Sequence, residues 1–440
     1  MVSDNPDSDA VVTCHWLSTA VPASMTVDAA EHELSGMDLA MKLHYLRILY
    51  YFHPSPTVAG MTPDALKNPL FLSLDRFRHA AGRIRRDDGG RAQIKCNDSG
   101  VRVVEAACER RSIREWLESR TPDRDAQLVP DKVLGPDLSF CPLVFVQLTR
   151  FKCGGLAVGF SWAHVLGDAV SALNYINLWG SLLSGNPEQR KPHHSPAETP
   201  TAATPAAAGD PLSLKQVEAS GDIWLPNTKH RMVTSSFKIT GTKLSHLRSE
   251  VSSGGGIPAF EAIAALMWKT IAKIRVGKDP NPVTVVRNEN DCSEERNTSL
   301  SNKQITISTV ATSSSSSSSS SLARVEISEL AMLISETGKD EKQAIGEMLE
   351  RDNGKTDFII YGANLTFVDM ERVDLYGLEL KGQKPVCVEY NMCGVGEEGA
   401  VLVLREPDDA DNGGKKVVII LPEHEMPKLK EVLESEWGIA

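Results

Sequence analysis

The residues whose types and spacing could do chemistry in this chain sit together in Ser161-Trp162-Ala163-His164-Val165-Leu166-Gly167-Asp168. An imidazole titrates near neutrality and can take a proton from a hydroxyl or an amine, work typically worth about 10²–10⁴ in rate. A carboxylate four residues on could assist it or could serve the backbone. A regular helix would bring His164 and Asp168 to one side, whereas a tight turn could send the two side chains in opposite directions. The bland alternative is a partly buried histidine satisfied by backbone, with Asp168 as the carboxylate of a helix start.

The elements that must hold this octet can be read on either side of it. Leu156 to Trp162 is an apolar run of strand length introduced by Gly154 and Gly155, and it ends at the histidine instead of at a surface turn. Beyond it Val165, Ala169, Leu173, Ile176, Gly180 and Leu183 recur at helical spacing. Upstream, the pattern predicts a strand over Val11 to Ala23 and caps at Ser35 and Asp38 ahead of the run Leu39 to Leu46. It also predicts a helix over Pro63 to Ala80 that stops at Gly82, a short helix from Trp116, and a strand over Leu143 to Leu148. Ala92 to Cys96 and Val101 to Ala106 alternate about Asn97-Asp98-Ser99-Gly100 and read as a hairpin. His44, His53 and His79 are isolated and read as structural or surface residues.

Residues 185–222 change character, with a Pro/Ala/Thr run from Ser195 to Pro211, and read as a linker between a domain at 1–184 and another at 223–440. Its paired His193-His194 reads as solvated. The second half offers strands at Met232 to Ile239, Leu365 to Val368, Val401 to Leu404 and Val417 to Leu421. Its helices are expected at Lys243 to Val251, Pro258 to Trp268, Ile327 to Ile345 and Pro427 to Trp437. Ser313 to Ser321 is an uninterrupted serine run that cannot bury apolar area, so 312–322 is expected to be a disordered loop. Strands and helices alternating in both halves predict a mixed α/β (α+β) protein of two domains.

At 440 residues, 41% hydrophobic and 24% charged, the chain is long enough for two sizeable cores. A formal charge of −11 argues against a nucleic-acid partner, although a coenzyme with several phosphates would still need a local basic patch. The eight cysteines show no metal-binding spacing and read as reduced, mostly core thiols; no metal is expected. No apolar run approaches the roughly 20 residues of a membrane span, and the acidic first ten residues do not read as a signal peptide.

The octet resembles the His-x-x-x-Asp signature of the plant BAHD acyltransferases, which move an acyl group from coenzyme A to an alcohol or amine. The resemblance implies two similar domains, each a mixed sheet with flanking helices, around a central channel. It also implies His164 as general base and Asp168 as support of its loop, commonly through an arginine. Met37 to Tyr45, Lys95 to Ala106, Val133 to Phe145, Phe151 to Leu156 and Tyr361 to Val368 resemble the eceriferum or glossy-type branch of that family. That branch is associated with cuticular wax, where its members help a condensing enzyme of the endoplasmic reticulum extend very-long-chain acyl groups.

Catalytic members also carry Asp-Phe-Gly-Trp-Gly in the second domain. Here the corresponding place is Asp374-Leu375-Tyr376-Gly377-Leu378, which keeps the aspartate and puts Cβ atoms where the family has glycines. A Pro-Pro-x-x-Tyr-x-Gly-Asn segment is not recognisable between Val283 and Ala311. Two readings follow. The preferred one is a BAHD-like accessory protein, monomeric by itself, at the cytosolic face of the endoplasmic reticulum or in the cytoplasm. Its partner would be the elongase condensing enzyme or a very-long-chain acyl-CoA. The other is an acyltransferase using His164, with a coenzyme A thioester as substrate. Neither implies a tightly bound cofactor.

Overall fold

The computed structural model describes residues 12–26, 30–119, 121–185, 210–251, 256–288, 300–303, 305–312, 322–336, 338, 340–407 and 413–439. Most of the expected linker, including His193 and His194, and the serine run at 313–321 lie outside the described residues. The first half supplies β1 (Thr13–Ala20), β2 (Glu31–Glu33), β3 (Tyr45–Phe52), β4 (Arg83–Arg86), β5 (Ala92–Lys95), β6 (Val101–Cys108), β7 (Val144–Phe151) and β8 (Leu156–Ala163). The second supplies β9 (Lys215–Gln216), β10 (Met232–Ile239), β11 (Val283–Asn288), β12 (Ile305–Val310), β13 (Phe358–Ile359), β14 (Leu365–Met370), β15 (Cys387–Cys393), β16 (Ala400–Arg405) and β17 (Lys415–Pro422).

Two six-stranded mixed sheets dominate, in the orders β1-β6-β7-β8-β3-β15 and β10-β17-β16-β14-β11-β12. The first sheet is antiparallel except for β6 against β7, and the second is parallel at β11–β14 and β14–β16. β8 lies inside the first sheet between β7 and β3, and all eight of its residues are buried. Both faces are therefore covered, which is why its sequence is an unbroken apolar run. The helix Ala169–Leu183 after it packs on the helix Pro63–Arg76, with Trp179 Nε1 donating to the Leu66 carbonyl at 2.8 Å.

Several expectations are corrected. The proposed hairpin does not form: β5 pairs with β2 and β4, while β6 pairs with β1 and β7. Between them Asp98 (φ 51°) and Gly100 (φ 78°) turn the chain, and the buried Arg83 guanidinium donates to the carbonyls of Gly82, Ser99 and Gly100. The joint thus passes from the small sheet to the large one instead of folding back. The run beginning at Leu39 yields a helix only over Gly36–Ala40, capped by Ser35 and Asp38, and then becomes β3. β15 completes the first sheet from the far half of the sequence by pairing with β3.

The helix expected over Ile327 to Ile345 is two, Ile327–Ser335 and Lys342–Arg351. Tertiary bonds win at the break: Asp340 Oδ1 accepts from Ile307 N at 3.0 Å, and Glu341 accepts from Ser213 and from Thr309. The thiols are less buried than expected. Only Cys96 and Cys108 of the seven described are fully buried, Cys14 is exposed, and all seven are free. Among the described residues no helix is long and apolar enough to cross a membrane.

Candidate functional site

The chain changes element at His164. β8 ends at Ala163, a single 3-10 turn covers His164–Leu166, and Asp168 caps the helix Ala169–Leu183 by accepting from Ser171 N at 3.0 Å. The tight-turn geometry holds, and Asp168 serves the helix start. Gly167 sits at φ 151°, and a Cβ there would lie 2.8 Å from Ser301 N, so only glycine lets the 300–302 segment approach. That segment locks the turn. Ser301 O accepts from Asp168 N at 3.1 Å and from Ser171 Oγ at 2.9 Å, while Asn302 Nδ2 donates to His164 O at 3.0 Å and to Asp38 Oδ1 at 2.9 Å.

The imidazole of His164 is only 1% exposed. Tyr361 lies against it, with the phenol oxygen 3.4 Å from Nε2 and the ring centroids 5.7 Å apart. His44 forms the third member, its ring 6.4 Å from His164 and 4.9 Å from Tyr361, and its carbonyl accepts from His164 N at 3.0 Å. Burial lowers the His164 pKa to about 4, offset in part by its own backbone and by Asn302 nearby. Even so, Nδ1 of His164 has no partner at bonding geometry among the described residues. Burial, and then the neighbouring His164, lower His44 to about 3. Both rings are neutral at pH 7.

A buried ion pair holds this cluster's walls together. Lys42 Nζ lies 2.6 Å from Asp357 Oδ1, each side chain 5% exposed, and Ser220 adds two hydrogen bonds to Asp357. The second motif region lies elsewhere. Gly377 and Leu378 pack against the helix Ala169–Leu183 at Asn177 and Gly180, where a Cβ on Gly180 would lie 2.7 Å from Leu378 Cδ1. Those positions lie about 13 and 18 Å along the helix from Asp168. Leu375 and Leu378 are buried and Tyr376 is half-buried, and the left-handed backbone of this loop falls at Lys381 (φ 51°) and Gly382 (φ 78°) instead. The structure therefore places His164 and Asp168 at the two ends of one turn and keeps 374–378 apart from them.

Sequence reasoning missed Tyr361 and Asn302, and read His44 as an isolated structural or surface residue without placing it beside His164. His44 and Tyr361 lie in the segments that carried the family resemblance, yet nothing local ties residue 44 to residue 361. Open space lies between the two sheets. Two adjoining cavities of about 320 and 540 Å³ share Arg47, Pro122, Ala126, Thr234 and Asn391. Neither is lined by His164 or by any other histidine. Among the described residues no group of three or more metal-ligating side chains occurs.

This architecture and the His-x-x-x-Asp turn define a class. Residues 10–436 match the family described as the Transferase family, and the chain belongs to this BAHD transferase family. It is 36% identical to Protein ECERIFERUM 2 of Arabidopsis thaliana, covering 96% of this chain and 97% of that protein. It is 37% identical to Protein ECERIFERUM 26 of the same plant, covering 94% and 93%. Among solved structures, vinorine synthase superposes with a TM-score of 0.70 at 18% identity, covering 95% of this chain and 96% of that one. Fusarium graminearum TRI101 complexed with ethyl coenzyme A gives 0.68 at 15% identity, covering 93% and 98%. At these identities both show the shared fold.

Proposed function

We propose that this protein is an accessory factor of very-long-chain fatty acid elongation for cuticular wax, acting with a condensing enzyme of the endoplasmic reticulum. The observation that carries this reading is the closure of His164: 1% exposed, with a phenol of its own chain against Nε2. A general base must come within about 2.6–3.2 Å of the proton-bearing atom of its substrate, and it works best with a pKa near the operating pH. A ring held near 4 with no open face supports neither requirement. Near-full-length identity to two eceriferum proteins supports the wax setting.

In this role the protein lies peripherally on the cytosolic face of the endoplasmic reticulum or in the cytoplasm and is monomeric by itself. It contacts the elongase or its very-long-chain acyl-CoA, and burying methylenes at about 0.8 kcal/mol each would bias product length without proton transfer. A second reading, acyl transfer from a coenzyme A thioester with His164 as base, draws on one observation: the ring is neutral and its Nδ1 is unpaired. Co-expression in yeast tests the first reading. Longer acyl products should appear only when the condensing enzyme is present. Lengthening in its absence would overturn it.

A further inference from the structure

The geometry points to Tyr361 as an internal stand-in for an acyl acceptor: its phenol fills the seat in which a substrate hydroxyl would face His164 and keeps that seat closed. This rests on the reading of His164 as unused. The phenol oxygen faces Nε2 at 3.4 Å, at the long end of hydrogen-bond distance. Tyr361 is itself 2% exposed, and the His44 ring backs it edge-on at 81°. Burial, and then the Asp168 charge, push the phenol pKa above its ordinary value. It therefore remains a neutral O–H, the same group that an alcohol would present.

The residue is fixed and is not a swinging lid. Its carbonyl accepts from Gly396 N at 2.9 Å. The next residue, Gly362, holds φ 80°, donates to Thr366 Oγ1 at 3.0 Å, and lies so close to Gly396 that a Cβ would be 2.4 Å from its backbone. Such a plug excludes acceptors by occupying volume. Removing the ring should leave a cavity shaped for a phenol, which small molecules reach as the protein opens locally, the kind of site that takes up a matching ligand.

Two measurements test this. Diethyl pyrocarbonate modifies neutral imidazole, and at pH 7 His164 is neutral, so its rate reports access. In the wild-type protein and in Tyr361→Phe, which keeps the ring, His164 should react at least about tenfold more slowly than the exposed His53 and His246. In Tyr361→Ala, His164 should become reactive, and millimolar p-cresol should both protect it and raise the melting temperature. Wild-type reaction of His164 at the surface rate would overturn the proposal, and that arm stands even if Tyr361→Ala fails to fold. A folded Tyr361→Ala that p-cresol neither protects nor stabilises would overturn it as well. Neither readout depends on elongation, so failure here is distinct from failure of the accessory function.

Discussion

At the His164 turn there is a proton acceptor and no room; in the cleft between the sheets there is room and no histidine. An acyltransferase centre needs both in one place. Here the turn is filled by Tyr361 and His44 and clamped by Ser301 and Asn302, while the cleft is lined by hydrogen-bonding and charged groups such as Arg47, Thr234, Glu389 and Asn391. On the proposed accessory role, the difference is that of a family's signature residues serving as architecture. Asp168 still caps its helix and His164 still ends its strand, whether or not a substrate arrives.

Breaking the closed region should cost most. Lys42→Ala removes one partner of a buried pair and should destabilise by about 3–5 kcal/mol in denaturant unfolding. Lysine and aspartate that could be separated without loss would show that the walls of the His164 cluster are not held this way. Leu378→Ala should cost about 2–5 kcal/mol, because Leu378 is fully buried against Gly180. If that variant were neutral, the 374–378 loop would not be a packing element.

Acid should act next. His44, His79 and His164 are lowered to about 3, 3 and 4, in each case chiefly by burial. The unfolded chain, near 6.5, then binds more protons than the folded one, so their contribution is intact above pH 6.5 and is lost as pH falls toward 4. The expected slope is about 1.4 kcal/mol per pH unit for each histidine, so about 4 kcal/mol per pH unit for the three together below pH 6, read as melting temperature against pH. A melting temperature flat from pH 7 to 5 would mean that these rings are not buried neutral. Asp168→Ala removes the cap of a buried helix start and should cost at least about 1 kcal/mol, with Asp168→Asn milder.

Much of this was legible in the letters. The unbroken apolar run before His164 and the helical spacing after it gave the strand and helix that meet there, because both are local patterns. Tyr45 to Phe52 escaped because the apolar run from Leu39, read behind caps at Ser35 and Asp38, continues into it, and Cys387 to Cys393 because its partner lies more than 300 residues away in the chain. The false hairpin at 92–106 came from turn residues that do turn the chain, but into a different sheet. His164 and Asp168 could be named in advance. Their closure could not, since it depends on residues 44, 302 and 361 meeting through tertiary packing.

The central claim is that His164 is scaffold. His164→Ala should be made in yeast carrying the condensing enzyme, with expression and folding checked, and the acyl products compared with those of the wild type. The account predicts that most of the chain lengthening is retained. A folded, normally expressed His164→Ala that loses lengthening by the roughly 10²-fold or more expected for a missing general base would contradict it and restore the acyltransferase reading.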